Sequence, residues 1–154
     1  MSVIERIWRM YKMDRISDVF KIALTQYGVR EWSGSNHNPE VVKYFTECGF
    51  DVKNDETSWC SAFVCWCVQK AGLQHTKSLA ARSWLGWGDK IMDPEVGDIA
   101  VLWRNDPQGW QGHVGFFVRQ DGSRIWLLGG NQSNEVNIQD YQGSQLLGYR
   151  RATS

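Results

Sequence analysis

Apolar and polar residues change their spacing once along this chain, near residue 98. Before that point the apolar positions recur every three or four residues, as on one side of a helix. ISDVFKIALTQYGV (16–29) has this spacing, and Ser17 is placed to cap it. A turn-rich stretch, SGSNHN (33–38), follows. Pro39 then opens PEVVKYFTECG, at a helix position where its missing amide is no loss, and Gly49 ends it. SWCSAFVCWCVQKAG (58–72) is predicted as a helix between Ser58 as N-cap and Gly72 as stop. KSLAARSWLGWG (77–88) reads as a short helix closing on Gly86 or Gly88. After DPEVGD the texture changes. IAVLW, HVGFFV, RIWLLGG, EVNI and LLGYRR are short apolar, β-branched or aromatic runs between polar turns, which predicts strands. Helices first and strands after give an α+β pattern with antiparallel connections.

The 154 residues contain no repeat, no low-complexity stretch and no linker, so one domain over residues 1–154 is expected. Seventeen basic residues balance seventeen acidic ones. A dedicated nucleic-acid or anionic-membrane binder would show a basic excess, so the balance argues against both as partners. Nine tryptophans are more than one small core needs, and they suggest a groove for rings, sugars or peptides beside their core roles. No run reaches the ~18 apolar residues of a transmembrane helix. The N-terminus is broken by Glu5, Arg6, Arg9, Lys12, Asp14 and Arg15, unlike the apolar stretch of a signal peptide. Synthesis in the cytoplasm is expected, with action elsewhere reached by release or export.

Three of the four cysteines lie at positions 60, 65 and 67. C-x4-C-x-C followed by His75 fits no usual zinc spacing, and residues two apart on a helix point away from each other. Cys60 and Cys67 would stand about 10 Å apart along a helix axis, too far for a disulfide. Cys60, Phe63, Val64, Cys67, Val68 and Ala71 form one apolar stripe, on which Cys67 reads as a small buried hydrophobe. Cys65 falls with Ser61 and Gln69 on a more polar side, and Cys48 reads as structural. Cys60 differs because it occupies the first turn. Free amides and the helix dipole there lower a thiol's pKa and can hold an oxyanion. An inert buried cysteine is the competing reading.

A thiol nucleophile needs a base. His37 and His75 read as surface residues. His113 opens a strand behind Gly112 and can reach across to a helix N-terminus packed on the sheet. A satisfied core or edge histidine is the competing reading. Asn131 follows LLGG on the next strand and can orient the imidazole through its side-chain oxygen. Gln132 is the alternative, and a plain turn residue the bland reading of Asn131.

Taken together, the first-turn cysteine of WCSAFV, PEVGDIAVL, AARSWL, GHVGFF and LLGGNQS resemble the NlpC-type papain-like peptidase superfamily, which includes the CHAP domains. The likeness runs from about YGVREWSG to LLGYRR and is nearest to a small bacterial and phage family. It implies a papain-like fold, with N-terminal helices packed on a small antiparallel β-sheet. It implies a peptidoglycan substrate and hydrolysis of an amide bond, by an endopeptidase or an N-acetylmuramoyl-L-alanine amidase. Cys60 matches the nucleophile, His113 the base and Asn131 the orienting residue. Trp59, Trp84, Trp87 and Trp103 are the candidates for a substrate groove. No metal or cofactor is expected, and the protein is expected to be a monomer. A phage endolysin is the leading setting, an interbacterial effector or an inactive wall-binding module the alternatives. A cytosolic thiol enzyme of another class is a further competitor. Two positions depart from the pattern. Gly129 stands where many CHAP domains carry a glutamate, and Trp59 where many relatives carry a glutamine.

Overall fold

Two helices begin where a side-chain oxygen replaces a missing backbone partner. α1 (Asp18–Leu24) is capped by Ser17, whose hydroxyl accepts from the Phe20 amide at 3.2 Å. α2 (Pro39–Thr46) is capped by Asn38, which accepts from the Glu40 amide at 2.9 Å. Gly49 ends α2 at φ +83°, a left-handed backbone that lets the Phe50 amide reach back to the Phe45 carbonyl at 2.9 Å. The computed structural model describes residues 2–7, 17–34, 36–55 and 58–153. Ile16 and Ser35, which belong to the predicted first helix and loop, lie outside them.

α3 (Cys60–Lys70) departs from expectation in two ways. Its cap is Trp59, not Ser58, and the Trp59 side chain makes no capping hydrogen bond. It also has no polar side along most of its length, because the nine residues from Cys60 to Val68 are all buried. α1, α2 and the sheet pack on α3. The loop after Gly72 covers the side that carries Ser61 and Cys65. There Ser61 Oγ donates to the Ser78 carbonyl at 2.7 Å and accepts from Trp84 Nε1 at 3.0 Å. The Cys65 thiol lies 3.8 Å from the same carbonyl. Cys67 has no exposed surface. Cys67→Ser would leave a hydroxyl in this apolar setting and should lower stability by about 1–3 kcal/mol. A urea unfolding midpoint reads that loss directly.

Six antiparallel strands form one sheet in the order β1-β6-β2-β3-β4-β5. They are β1 (Asp89–Ile91), β2 (Ile99–Trp103), β3 (Gly112–Asp121), β4 (Arg124–Gln132), β5 (Glu135–Gln142) and β6 (Leu146–Arg151). β1 has no counterpart among the predicted strands. It is three residues long and pairs only with β6. KSLAARSWLGWG contains a 3-10 turn (Ala81–Gly86) rather than an α-helix. Alternation along the strands sorts their side chains. Ile99, Val101, Val114, Phe116 and Leu128 join the α3 core, where Phe116 meets Phe63 edge-on at 6.4 Å. Ala100, Leu102, Phe117, Ile125, Leu127 and Tyr149 make a second cluster on the other face. Helices on an antiparallel sheet are the α+β architecture that the sequence predicts.

Candidate active site

Cys60 is the first residue of α3 and is buried. Trp59 beside it has no exposed surface, stacks on Tyr44 at 5.7 Å and donates from Nε1 to Glu31 at 2.7 Å. β4 presses on this turn at Gly130. A Cβ there would stand 2.7 Å from both Phe63 Cβ and the Trp59 ring, so the close approach needs glycine. Burial pushes the Cys60 thiol up. The Val114 backbone, the Arg104 guanidinium, Ser58 and the Ser61 backbone pull the other way without outweighing it. This reverses the fall expected of a first-turn cysteine. Desolvation of the thiolate is the larger effect while the site is closed to water.

His113, buried at the start of β3, has both ring nitrogens engaged. Nε2 lies 2.9 Å from Gln132 Oε1 and 3.2 Å from the Tyr141 hydroxyl, and the Tyr141 ring stacks on the imidazole at 5.1 Å. The orientation of the Gln132 amide follows from its other bonds. Its Nε2 donates to the carbonyls of Leu127 at 3.2 Å and Asn137 at 2.8 Å, so its oxygen is the atom that faces the ring. The ring nitrogen that faces that oxygen must be the donor. In the neutral imidazole Nδ1 is then the unprotonated nitrogen. Arg104 Nη2 stands 3.5 Å from it. Among the described residues Cys60 makes no hydrogen bond to this ring.

Gln132 holds the place expected for Asn131, and a bulge is the reason. β4 pairs Gly129 with Asn137, then Gln132 with Glu135, so two residues of β4 oppose one of β5. Asn131 takes the left-handed conformation at φ +57°, which asparagine tolerates better than most residues. Its side chain turns away and donates to Ser58 Oγ at 3.4 Å. Gly129 completes the arrangement. A Cβ there would collide with Gln132 Oε1 at 2.5 Å. No side chain fits at 129 while the Gln132 amide lies under the imidazole, which accounts for glycine where many CHAP domains have glutamate.

His113 is held down to about 4, chiefly by burial, against the raising effect of Gln132 and with a further lowering by Arg104. The unfolded chain therefore takes up a proton near pH 6.5 that the folded chain refuses until about pH 4. Stability should fall as pH drops through that window and be independent of this group above it. Between pH 7 and pH 4.5 the expected loss is about 2–3 kcal/mol. Urea unfolding at the two pH values checks it, and His113→Gln should remove most of the difference. Asp55 acts in a lower window. Burial acts to raise it, but the amides of Asn38 and Trp32 and the His37 ring hold it below its ordinary value. Its contribution is thus present above about pH 4 and is lost below that.

The tryptophans sort differently from expectation. Trp59 and Trp84 have no exposed surface and are core residues, too deep to line a groove. Trp87 and Trp103 are partly exposed, with Nε1 committed to the carbonyls of Gln74 at 2.8 Å and Ser144 at 3.1 Å. The well-exposed tryptophans among the described residues are Trp32 at 48% and Trp110 at 78%. Trp32 belongs to a loop clasped from within. Buried Asp55 accepts from the amides of Trp32 at 2.8 Å and Asn38 at 3.0 Å, and faces His37 Nδ1 at 3.1 Å. His37 is thus half-buried and paired. His75 accepts at Nδ1 from the Lys77 amide at 2.9 Å. Among the described residues no three His, Cys, Asp or Glu cluster in a way that could hold a metal ion.

Arg104 and Tyr141 were not singled out by the sequence reading. A signal for Arg104 existed: pairing IAVLW with GHVGFF as a hairpin sets Trp103 against Gly112, one step from each residue. Tyr141 had none, since its approach to His113 crosses 28 positions of chain.

The CHAP domain family model matches residues 52–131, just over half of the chain. The match takes in Cys60, His113 and Asn131 and stops one residue short of Gln132. Three solved structures share the fold. One, from Staphylococcus aureus, is similar to a lipoprotein of the NLP/P60 family, with a TM-score of 0.55 and 18% identity over 90% of this chain and 41% of that one. NlpC1 from Trichomonas vaginalis has a TM-score of 0.54 and 16% identity over 86% of this chain and 42% of its own. RipD from Mycobacterium tuberculosis, a non-catalytic NlpC/p60 domain protein adapted to peptidoglycan binding, has a TM-score of 0.51 and 16% identity over 88% of this chain and 95% of its own. At these identities the likeness is one of fold, and this chain spans less than half the length of the first two. No curated protein matches the sequence. Helices on an antiparallel sheet, the fold shared with NlpC/P60 structures, and the match over 52–131 together make this chain a member of the CHAP domain family.

Proposed function

We propose that the chain hydrolyses an amide bond of peptidoglycan, with Cys60 as nucleophile, His113 as base and Gln132 as the residue that orients the base. One observation carries this reading: Gln132 holds His113 in the tautomer whose unprotonated nitrogen is Nδ1. The amides of the first turn of α3, where Trp59 makes no side-chain cap, are the natural donors to an oxyanion. Both pKa shifts favour a neutral thiol and a neutral imidazole in the free chain. The thiol proton then moves to Nδ1 as sulfur attacks the carbonyl carbon. The same proton passes to the leaving amine as the C–N bond breaks. Water, activated by Nδ1, hydrolyses the thioester and releases the acid.

The bond is either the N-acetylmuramoyl–L-alanine link or a peptide bond of the stem or cross-bridge. The proposed setting is a lytic enzyme, of phage or interbacterial origin, made in the cytoplasm and acting on the wall after release or export. A second reading is a wall-binding module without chemistry. The deep burial of Cys60 and the occupied Nδ1 favour it, and RipD has that character. A zymogram on purified wall material separates the two. Clearing by the parent and none by Cys60→Ala supports the hydrolase. Wall binding without clearing supports the module.

A further inference from the structure

Arg104 follows β2 directly, its side chain exposed but for its contact with His113. Its position is built rather than loose. The Arg104 amide donates to the Gln111 carbonyl at 3.2 Å, and Asn105, at φ +65°, bonds the Gln111 side chain. Arg82 ties the same loop down through the carbonyls of Gln111 at 2.8 Å, Pro107 at 3.0 Å and Asp106 at 2.7 Å. Yet no carboxylate among the described residues lies within ion-pair distance of Arg104. The nearby Asp106 carboxylate accepts instead from the Gln108 amide at 2.9 Å. A planar guanidinium suits a carboxylate far better than an imidazole lone pair. Here it takes the lone pair, and takes it on the one atom that a Cys60 proton would need.

We infer that Arg104 recognises a free carboxylate flanking the scissile amide, and that this carboxylate draws the guanidinium off His113 Nδ1 and so frees the base when substrate is bound. The inference rests on the hydrolase reading and names its substrate class, an acidic peptide. No covalent change is involved. The guanidinium keeps its charge and exchanges one acceptor for a better one. The device also keeps the thiol quiet in the free chain, because the base is occupied until the correct substrate arrives. Arg104 acts on Cys60 in the other sense, favouring its thiolate, so its charge is felt by both partners.

Two measurements test this. In the first, matched wall peptides carry the flanking carboxylate or its carboxamide. The parent should prefer the carboxylate by at least about tenfold in kcat/KM, Arg104→Gln should lose most of that preference, and Arg104→Lys should keep part of it. An equal loss on both peptides would make Arg104 an oxyanion donor and overturn the inference. The second needs no hydrolysis: the rates at which iodoacetate and iodoacetamide alkylate Cys60. The anionic reagent should be favoured in the parent and lose about tenfold of its relative rate in Arg104→Gln. An unchanged ratio overturns the inference even if the wall is cleaved. A changed ratio sustains anion recognition by Arg104 even if the wall is not.

Discussion

Replacing Cys60 with alanine or serine should reduce wall hydrolysis by at least about 10³-fold while the thermal midpoint moves by only about 2–4 °C. The two halves of this expectation have separate causes. Alanine removes the only atom able to form the thioester, and serine replaces it with an oxygen that His113 is poorly matched to activate. The packing change is small, because one buried sulfur is lost from a turn whose shape is set by Trp59, Phe63 and Gly130. Turbidity loss of purified walls and a melting curve on the same preparation measure both. Full activity in Cys60→Ala, or its loss only in Cys65→Ala or Cys67→Ala, would move the nucleophile elsewhere on α3.

His113→Ala should be as severe, at about 10³-fold or more, since it removes the proton carrier of both half-reactions. Gln132→Ala should lose at least about tenfold, because the ring is then free to present the wrong nitrogen. Residues that act as one unit are not additive, so Gln132→Ala added to His113→Ala should lose almost nothing further. Asn131→Ala is the control, expected within about threefold of the parent. Its amide bonds Ser58, not the imidazole. A larger loss in Asn131→Ala than in Gln132→Ala would restore asparagine to the orienting role.

These expectations depend on features of very different legibility. The starts of α1 and α2 were readable because the devices that begin a helix are local: Ser17 bonds an amide three residues on, and Pro39 opens α2 where its missing amide is no loss. Strand positions were readable for the same reason, as alternation and turns are short-range signals. The environment of α3 was not. Ser61 and Cys65 look like a polar side until the loop carrying Ser78 and Trp84 folds over them. The side chain that meets the imidazole was legible only as a choice between neighbours. Asn131 and Gln132 exchange faces through a bulge, and a bulge is a property of two paired strands rather than of one. Trp59 and Trp84 were misread as groove residues for a related reason. Composition counts tryptophans, whereas burial depends on Tyr44 and Ser61 arriving from elsewhere in the chain.

The central claim is that the chain cleaves an amide bond through Cys60 and His113. Mass analysis of the fragments released from purified peptidoglycan tests it most directly. The account predicts fragments that each gain one water at an amide, exposing a new amine and a new carboxyl group. They should form with the parent and be absent with Cys60→Ala and His113→Ala. Cleavage at a glycosidic bond, or the same fragments from Cys60→Ala, would contradict it.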